Sequence, residues 1–276
     1  MSNLFRSMLS VCALFLVIGT LLGCSKEAGA PASKESQKAL VVGLNAQYPP
    51  FESVNLQGDV EGFDVSLSHL IAQKMSRPLT IKEMSFDALI LSLKQGKIDL
   101  IISSLSITAS RQKEITMIHY YGDPLKTVSL VFWKEIPGNI HSLEDFKQQA
   151  DSGSKAVVAA CSGTLQEEYL GHFAFIQPKA LDHSVDLMMD IKYGKSVAAL
   201  MEPAVAYHLQ AKYPDLKILD LTLPESDQIL GFGIGVKKGN AELGAEVEKV
   251  IEEFKASGEI DKLAKQWFVE KGGDNE

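Results

Sequence analysis

The sequence predicts an α/β fold in which mostly parallel sheets are flanked by helices and one lobe is inserted into another. Three observations carry the prediction. Short β-rich runs alternate with amphipathic stretches from Leu40 onward, the order that builds parallel sheets through crossover helices. Two turn-rich breaks, Tyr120-Tyr121-Gly122-Asp123-Pro124 and Leu223-Pro224-Glu225-Ser226-Asp227, isolate a βαβα block between them. No self-similarity occurs at the periods of solenoid repeats. An inserted block leaves two crossing segments, a geometry that suits a hinge.

Taken in order, Leu40–Leu44 is a near-continuous apolar run of strand length. Asp64–Met75 has helical spacing and leads to the run Leu79–Met84. A helix over Phe86–Gln95 precedes a strand over Ile98–Ser103. Val128–Trp133 opens the inserted block. The helix Leu143–Gln149, the strand Ala156–Cys161, the helices Leu165–Phe173 and Val185–Tyr193, the strand Val197–Met201 and the helix Ala204–Lys212 complete it. Ile229–Val236 returns as a strand, and helices Ala241–Ala256 and Glu259–Phe268 follow. The lobes are therefore expected at 39–125 plus 228–276, and at 126–227. Of the 276 residues 46% are hydrophobic and 22% charged, which fits a soluble globular chain and excludes a disordered tail or a multi-span membrane protein. A net charge of −8 without a basic stripe argues against nucleic acid as a partner.

The N-terminus carries an address. Arg6 is the one charge before an apolar run from Met8 to Leu22, too short to span a bilayer and shaped like an export signal over 1–23. Leu21-Leu22-Gly23-Cys24 resembles the bacterial lipoprotein cleavage box, which implies cleavage before Cys24 and acylation of that residue. Residues 25–38, SKEAGAPASKESQK, are small and polar, so 24–38 reads as a flexible tether from a membrane lipid to the folded body. Cys161 then has no internal partner for a disulfide and reads as a small apolar strand residue.

In open α/β sheets ligands sit at the carboxyl ends of strands, beside helix N-termini. Those ends carry Asn45, Gln47 and Tyr48; Phe86; Ser103, Ser104 and Ser106; Thr164; and Glu202. Thr108 is placed to cap a helix with Arg111 in its first turn. A cation there opposes the helix dipole, and a bound anion offsets that cost. A guanidinium fork with hydroxyls and free N–H groups suits a carboxylate; pairing of Arg111 with Glu114 is the plainer alternative. Ser162-Gly163-Thr164 caps the helix that carries Gln166, and Gly163 permits close backbone approach. Glu202, before Pro203, could hold an ammonium ion or cap its own helix. Tyr48 and Phe86 could flank a ligand side chain or simply pack in the core. No zinc-ligand spacing, phosphate loop or nucleophile elbow is present, and no metal, cofactor or catalytic residue is expected.

The segments GLNAQYPPFE (43–52), GFDVSLSHLIA (62–72), FDALILSLKQGKIDLIISSLSITASRQKEI (86–115), CSGTLQEEY (161–169) and GFGIGVKK (231–238) resemble the extracytoplasmic solute-binding proteins of polar amino-acid ABC transporters, family 3, over nearly all of 39–269. The arginine and lysine/arginine/ornithine/histidine binders are the most similar. The resemblance implies a two-lobed periplasmic-binding-protein fold with two hinge crossings, acting as a monomer. It also implies a free L-amino acid, arginine first, held in the cleft and passed to an ABC permease in the inner membrane. By position, Arg111 would grip the α-carboxylate with Ser104, Ser106 and Thr164. Glu202 would hold the α-ammonium, and Tyr48 and Phe86 would flank the side chain. Asn45 stands where basic binders carry an acid, so Glu52 or Gln47 would have to assist at the distal charge. Three alternatives remain at this point: another polar amino acid such as glutamine, a cyclohexadienyl dehydratase-like secreted enzyme with Glu202 as its acid, and a surface adhesin or sensor.

Overall fold

The computed structural model describes residues 38–122, 124–150 and 153–268. The expected signal segment 1–23, the lipid-bearing Cys24 and the tether up to Gln37 lie outside the described residues. The first part of the chain forms β1 (Leu40–Leu44), β2 (Gln47–Tyr48), β3 (Glu52–Val54), β4 (Val60–Glu61), α1 (Phe63–Lys74), β5 (Leu79–Glu83), α2 (Leu89–Lys94), β6 (Leu100–Ile101), α3 (Ala109–Glu114) and β7 (Thr116–Tyr121). The middle part forms β8 (Thr127–Trp133), α4 (Lys147–Ala150), β9 (Ala156–Cys161), α5 (Leu165–Leu170), β10 (Ile176–Leu181), α6 (Ser184–Lys192), β11 (Ala198–Met201), α7 (Pro203–Lys212) and β12 (Leu216–Thr222). The return brings β13 (Phe232–Val236), α8 (Ala241–Ser257) and α9 (Glu259–Trp267).

Two five-stranded sheets result, in the orders β5-β1-β6-β13-β7 and β10-β9-β11-β8-β12. In each, two pairings are parallel and two are antiparallel. Four of the five strands in each sheet therefore run the same way, the mostly parallel sheets that the sequence suggested, with β13 and β8 running against them. The parallel strands all run toward the space between the sheets. A strand that enters a sheet directly from the other one, such as β8 or β13, must run the opposite way. A small antiparallel sheet, β2-β3-β4, is too short to leave a pattern in the sequence.

Burial explains the strands that the sequence does reveal. β1 and β13 are almost wholly buried, and each is apolar or glycine at every position. In the second sheet Val128, Leu130 and Phe132 face one core and Val131 the other, the period of two that a strand covered on both faces requires. α8 buries Leu243, Val247, Val250 and Ile251, a single helical face. Beside the crossings, Phe51 meets Phe232 at 5.0 Å between ring centroids, and Phe268 meets Phe51 and Phe63 at 4.9 Å and Tyr121 at 5.1 Å. Such pairs are worth about 0.5–1.5 kcal/mol each beyond burial, and they tie the residue after α9 to the start of α1 and to the end of β7, the strand that leads out of the first sheet.

The chain passes between the sheets after Tyr121 and again after Thr222. The two crossings lie side by side. Leu125 N–H donates to Ile229 O at 2.8 Å, and Ile229 N–H donates back at 3.4 Å. Gly231 follows with φ +96°, and a Cβ there would lie 2.3 Å from Gly122 O. Only glycine lets the two crossings run this close.

Candidate functional site

The carboxyl ends of β1, β6, β9, β10 and β11 converge on one narrow cleft. Its lining includes Asn45, Tyr48, Glu52, Phe86, Ser104, Ser106, Arg111, Thr164, Gln166 and Glu202, with Cys161, Ser162, Leu165, Asp182 and Phe232 beside them. The tips of both sheets therefore share one space.

Arg111 stands at its centre. Thr108 caps α3, accepting from Arg111 N–H at 3.2 Å. The side chain doubles back: Nη1 donates to Ser106 O at 2.9 Å, and Nη2 reaches across the cleft to Gly163 O at 3.0 Å. Cζ lies 5.4 Å from the centre of the Phe86 ring. The alternative pairing with Glu114 is not formed, because that carboxylate bonds Lys94 instead. Burial pulls the Arg111 guanidinium down to about 10, partly opposed by Glu168, so it stays charged at neutral pH. A half-buried cation whose contacts in the cleft are two carbonyls and a ring is a ready partner for an anion.

The opposite wall is backbone and carboxyl. Gly163 has φ +72°, and a Cβ on it would come within 3.4 Å of Asp87 Cβ and 3.5 Å of Phe86. Glycine thus presents its carbonyl to Arg111 without a side chain in the way. Thr164 caps α5 through Glu167 N–H at 3.4 Å and donates to Cys161 O at 2.6 Å. Glu202 is buried before α7, yet its side chain does not cap that helix. It accepts from Gln166 Nε2 at 3.3 Å, and its backbone N–H donates to the Tyr48 hydroxyl across the cleft at 3.4 Å. Burial pushes the Glu202 carboxyl up to about 8, against the pull of Gln166. At pH 7 this group is mostly neutral, and an arriving cation would ionise it.

Beneath the cleft lies a second acidic group. Glu52 is buried, accepting from Ser103 Oγ at 3.0 Å and Ser104 Oγ at 3.4 Å, while its other oxygen meets no donor. Asp64 accepts from Ser104 N–H at 2.5 Å and Tyr120 OH at 2.7 Å. Burial and the neighbouring Asp64 hold the Glu52 carboxyl well above the usual range, and burial pushes Asp64 to about 6. The Asp64 charge thus disfavours ionisation of Glu52. The hydrogen bonds of the two acids converge on Ser104, which sits in the left-handed region at φ +41°, a conformation that costs a non-glycine residue about 1–2 kcal/mol.

Ser103 does not line the cleft. Its hydroxyl is consumed behind the wall, donating to Glu52 and accepting from Asn45 N–H at 3.0 Å. Asn45 Nδ2 donates to Met84 O at 3.1 Å. Phe86 packs on the protein's own guanidinium. The sequence reading did not nominate Asp182 for the cleft, and it treated Cys161 as packing only. Cys161 is indeed buried, its thiol pushed up to about 12 by burial, but it also forms part of the cleft wall. Among the described residues no group of three or more His, Cys, Asp or Glu could hold a metal ion.

Comparison with known proteins places this arrangement. The family model described as bacterial extracellular solute-binding proteins, family 3, matches residues 40–270. A probable ABC transporter arginine-binding protein, ArtJ of Chlamydia trachomatis, is 39% identical over 90% of this chain and 91% of its own length. The lysine/arginine/ornithine-binding periplasmic protein of Escherichia coli is 31% identical over 94% of this chain and 96% of its own. Among solved structures, a mutant of ArgBP from T. maritima superposes with a TM-score of 0.76 at 34% identity, covering 85% of this chain and 97% of that one.

Proposed function

We propose that this chain, which belongs to the bacterial extracellular solute-binding proteins, family 3, captures a free basic L-amino acid, arginine foremost, and delivers it to an ABC permease in the inner membrane. The observation that carries the reading is the opposition of Arg111 and Glu202 across one cleft, with the hydroxyls of Ser104, Ser106 and Thr164 nearby. In this reading the α-carboxylate displaces carbonyl contacts of Arg111, and the α-ammonium draws the proton off Glu202. Both lobes then hold one zwitterion. Taking an open–closed equilibrium from 1:99 to 99:1 needs about 5.5 kcal/mol of differential affinity. Two desolvated charge pairs are of that order, since breaking one costs about 2–5 kcal/mol. The lobes would be 39–125 plus 228–276 and 126–227, moving about the paired crossings.

Asn45 favours one alternative, a neutral polar amino acid such as glutamine, because it carries no charge. An enzyme on this scaffold would rely on Glu202 alone, with Gln166 as its bonded neighbour, so we take the chain as a binding protein without catalytic activity. Export by residues 1–23 and acylation of Cys24 would hold the body, as a monomer, close to a membrane outside the cytoplasm. Cys24→Ser should then move the protein from the membrane fraction to the soluble one. Thermal-shift screening of the twenty amino acids tests the ligand. A ligand at 100 times its Kd adds about 2.7 kcal/mol, or roughly 5–11 °C for a chain of this size. Arginine should give the largest shift, and a largest shift with glutamine would favour the alternative.

A further inference from the structure

The functional reading leaves the distal cation of a basic ligand without a ready anion, since Asn45 is uncharged and Glu52 is buried, accepts from Ser103 and Ser104, and is hard to ionise beside Asp64. Three carboxyl groups line the cleft: Glu52, Glu202 and Asp182. Asp182 is the residue immediately after β10. Its side chain is exposed and makes no hydrogen bond or ion pair among the described residues. Among the described residues it is thus the one lining carboxylate neither of whose oxygens accepts a hydrogen bond, since Glu52 and Glu202 each have one oxygen engaged.

Its position follows from strand register. β10 and β9 are parallel with Leu181 opposite Cys161, and Ser162 N–H donates to Leu181 O at 2.9 Å. β9 and β11 are parallel with Ala159 opposite Ala199. Continued to the strand tips, this register sets Asp182, Ser162 and Glu202 in one row across three adjacent strands. Neighbouring strands lie about 4.8 Å apart, so the backbones of the two acids stand on the order of 10 Å apart. An extended arginine or lysine carries two cationic groups separated by a four-carbon-length arm. The row therefore offers one carboxyl to each end, with Thr164 and Arg111 taking the α-carboxylate between the lobes.

We infer that Asp182, at the tip of β10, pairs with the cationic end of the ligand side chain and sets the preference for basic over neutral amino acids. The inference rests on the functional reading above and adds the residue that selects the side chain. In this account selectivity rests on the edge strand of the second lobe and not on the first, where Asn45 is uncharged.

The test compares L-arginine with L-citrulline, which replaces the guanidinium by a neutral urea of the same shape. Calorimetric titrations use the wild-type chain, Asp182→Asn and Asp182→Glu, with circular dichroism melts confirming that each variant folds. Wild type should favour arginine at least tenfold. Asp182→Asn should weaken arginine binding ten- to a hundredfold and leave citrulline within threefold, so that the preference is lost. Asp182→Glu should restore part of it. Unchanged arginine affinity and preference in Asp182→Asn would overturn the assignment alone. A wild-type chain that binds no basic amino acid would overturn the functional reading and this assignment together.

Discussion

Arg111→Ala removes the one guanidinium, among the described residues, that touches both lobes. It deletes the donations to Ser106 O at 2.9 Å and Gly163 O at 3.0 Å, the contact with Phe86 and the proposed partner of the ligand carboxylate. The first three losses act on the empty protein. The two acceptors regain water when the site opens, so the cost there is modest, about 1 kcal/mol per hydrogen bond. The fourth acts on the complex, where a desolvated carboxylate would be left unpaired. Removing one partner of such a pair costs about 2–5 kcal/mol. At about 1.4 kcal/mol per decade, that is a rise in Kd of roughly thirty- to several-thousand-fold. Titration calorimetry with arginine at pH 7 reads it directly, and a parallel melt checks the fold. A Kd within threefold of wild type, in a variant that melts normally, would refute the claim that Arg111 holds the carboxylate.

Four further outcomes follow from the same geometry. Glu202 is mostly protonated at pH 7 when the cleft is empty, so ligand binding should release close to one proton. Titrations in buffers of different ionisation enthalpy should detect it in wild type and lose it in Glu202→Gln. Because burial raises Glu202 to about 8 and Asp64 to about 6, the folded empty chain binds more protons than the unfolded one between their unfolded values and these. The stability that these two groups contribute is therefore full below the unfolded carboxyl range and is lost as pH rises, by about pH 6 for Asp64 and about pH 8 for Glu202, at up to about 1.4 kcal/mol per pH unit for each group. A melting temperature that climbs across that window would contradict both assignments. Glu52→Gln keeps an acceptor for Ser103 and Ser104 and should melt close to wild type, whereas Glu52→Ala strands two hydroxyls at about 1–3 kcal/mol; equal losses would show that Glu52 is needed as an anion. Gly231→Ala forces a Cβ to within 2.3 Å of Gly122 O and 2.6 Å of His119 Nε2 at φ +96°. Overpacking and strain together cost about 2–4 kcal/mol, which should lower the melting temperature by at least about 5 °C.

The sequence made the interior legible and hid the periphery. Leu40–Leu44 and Ala156–Cys161 emerge with the bounds expected of them, because strands covered on both faces are continuous apolar runs. The Thr108 cap was likewise readable, and with it the placement of Arg111. The strands β7, β10 and β12 left no such run. They are edge strands with one face toward solvent, and β10 carries Gln177, Pro178 and Lys179 among its six residues. Missing β10 meant missing Asp182, since a residue counts as a strand tip only once its strand is recognised. The convergence of Glu52 and Asp64 on Ser104 was equally hidden. It depends on the left-handed turn at Ser104, a conformation that serine gives no sign of adopting.

The account stands or falls on where a free amino acid lies between the two sheets. A crystal structure with L-arginine bound measures this most directly. It should show the ligand carboxylate within hydrogen-bond distance of the Arg111 guanidinium and Thr164, and its α-ammonium on Glu202. Arginine bound outside the cleft, or inside it with its carboxylate turned away from Arg111, would contradict the account.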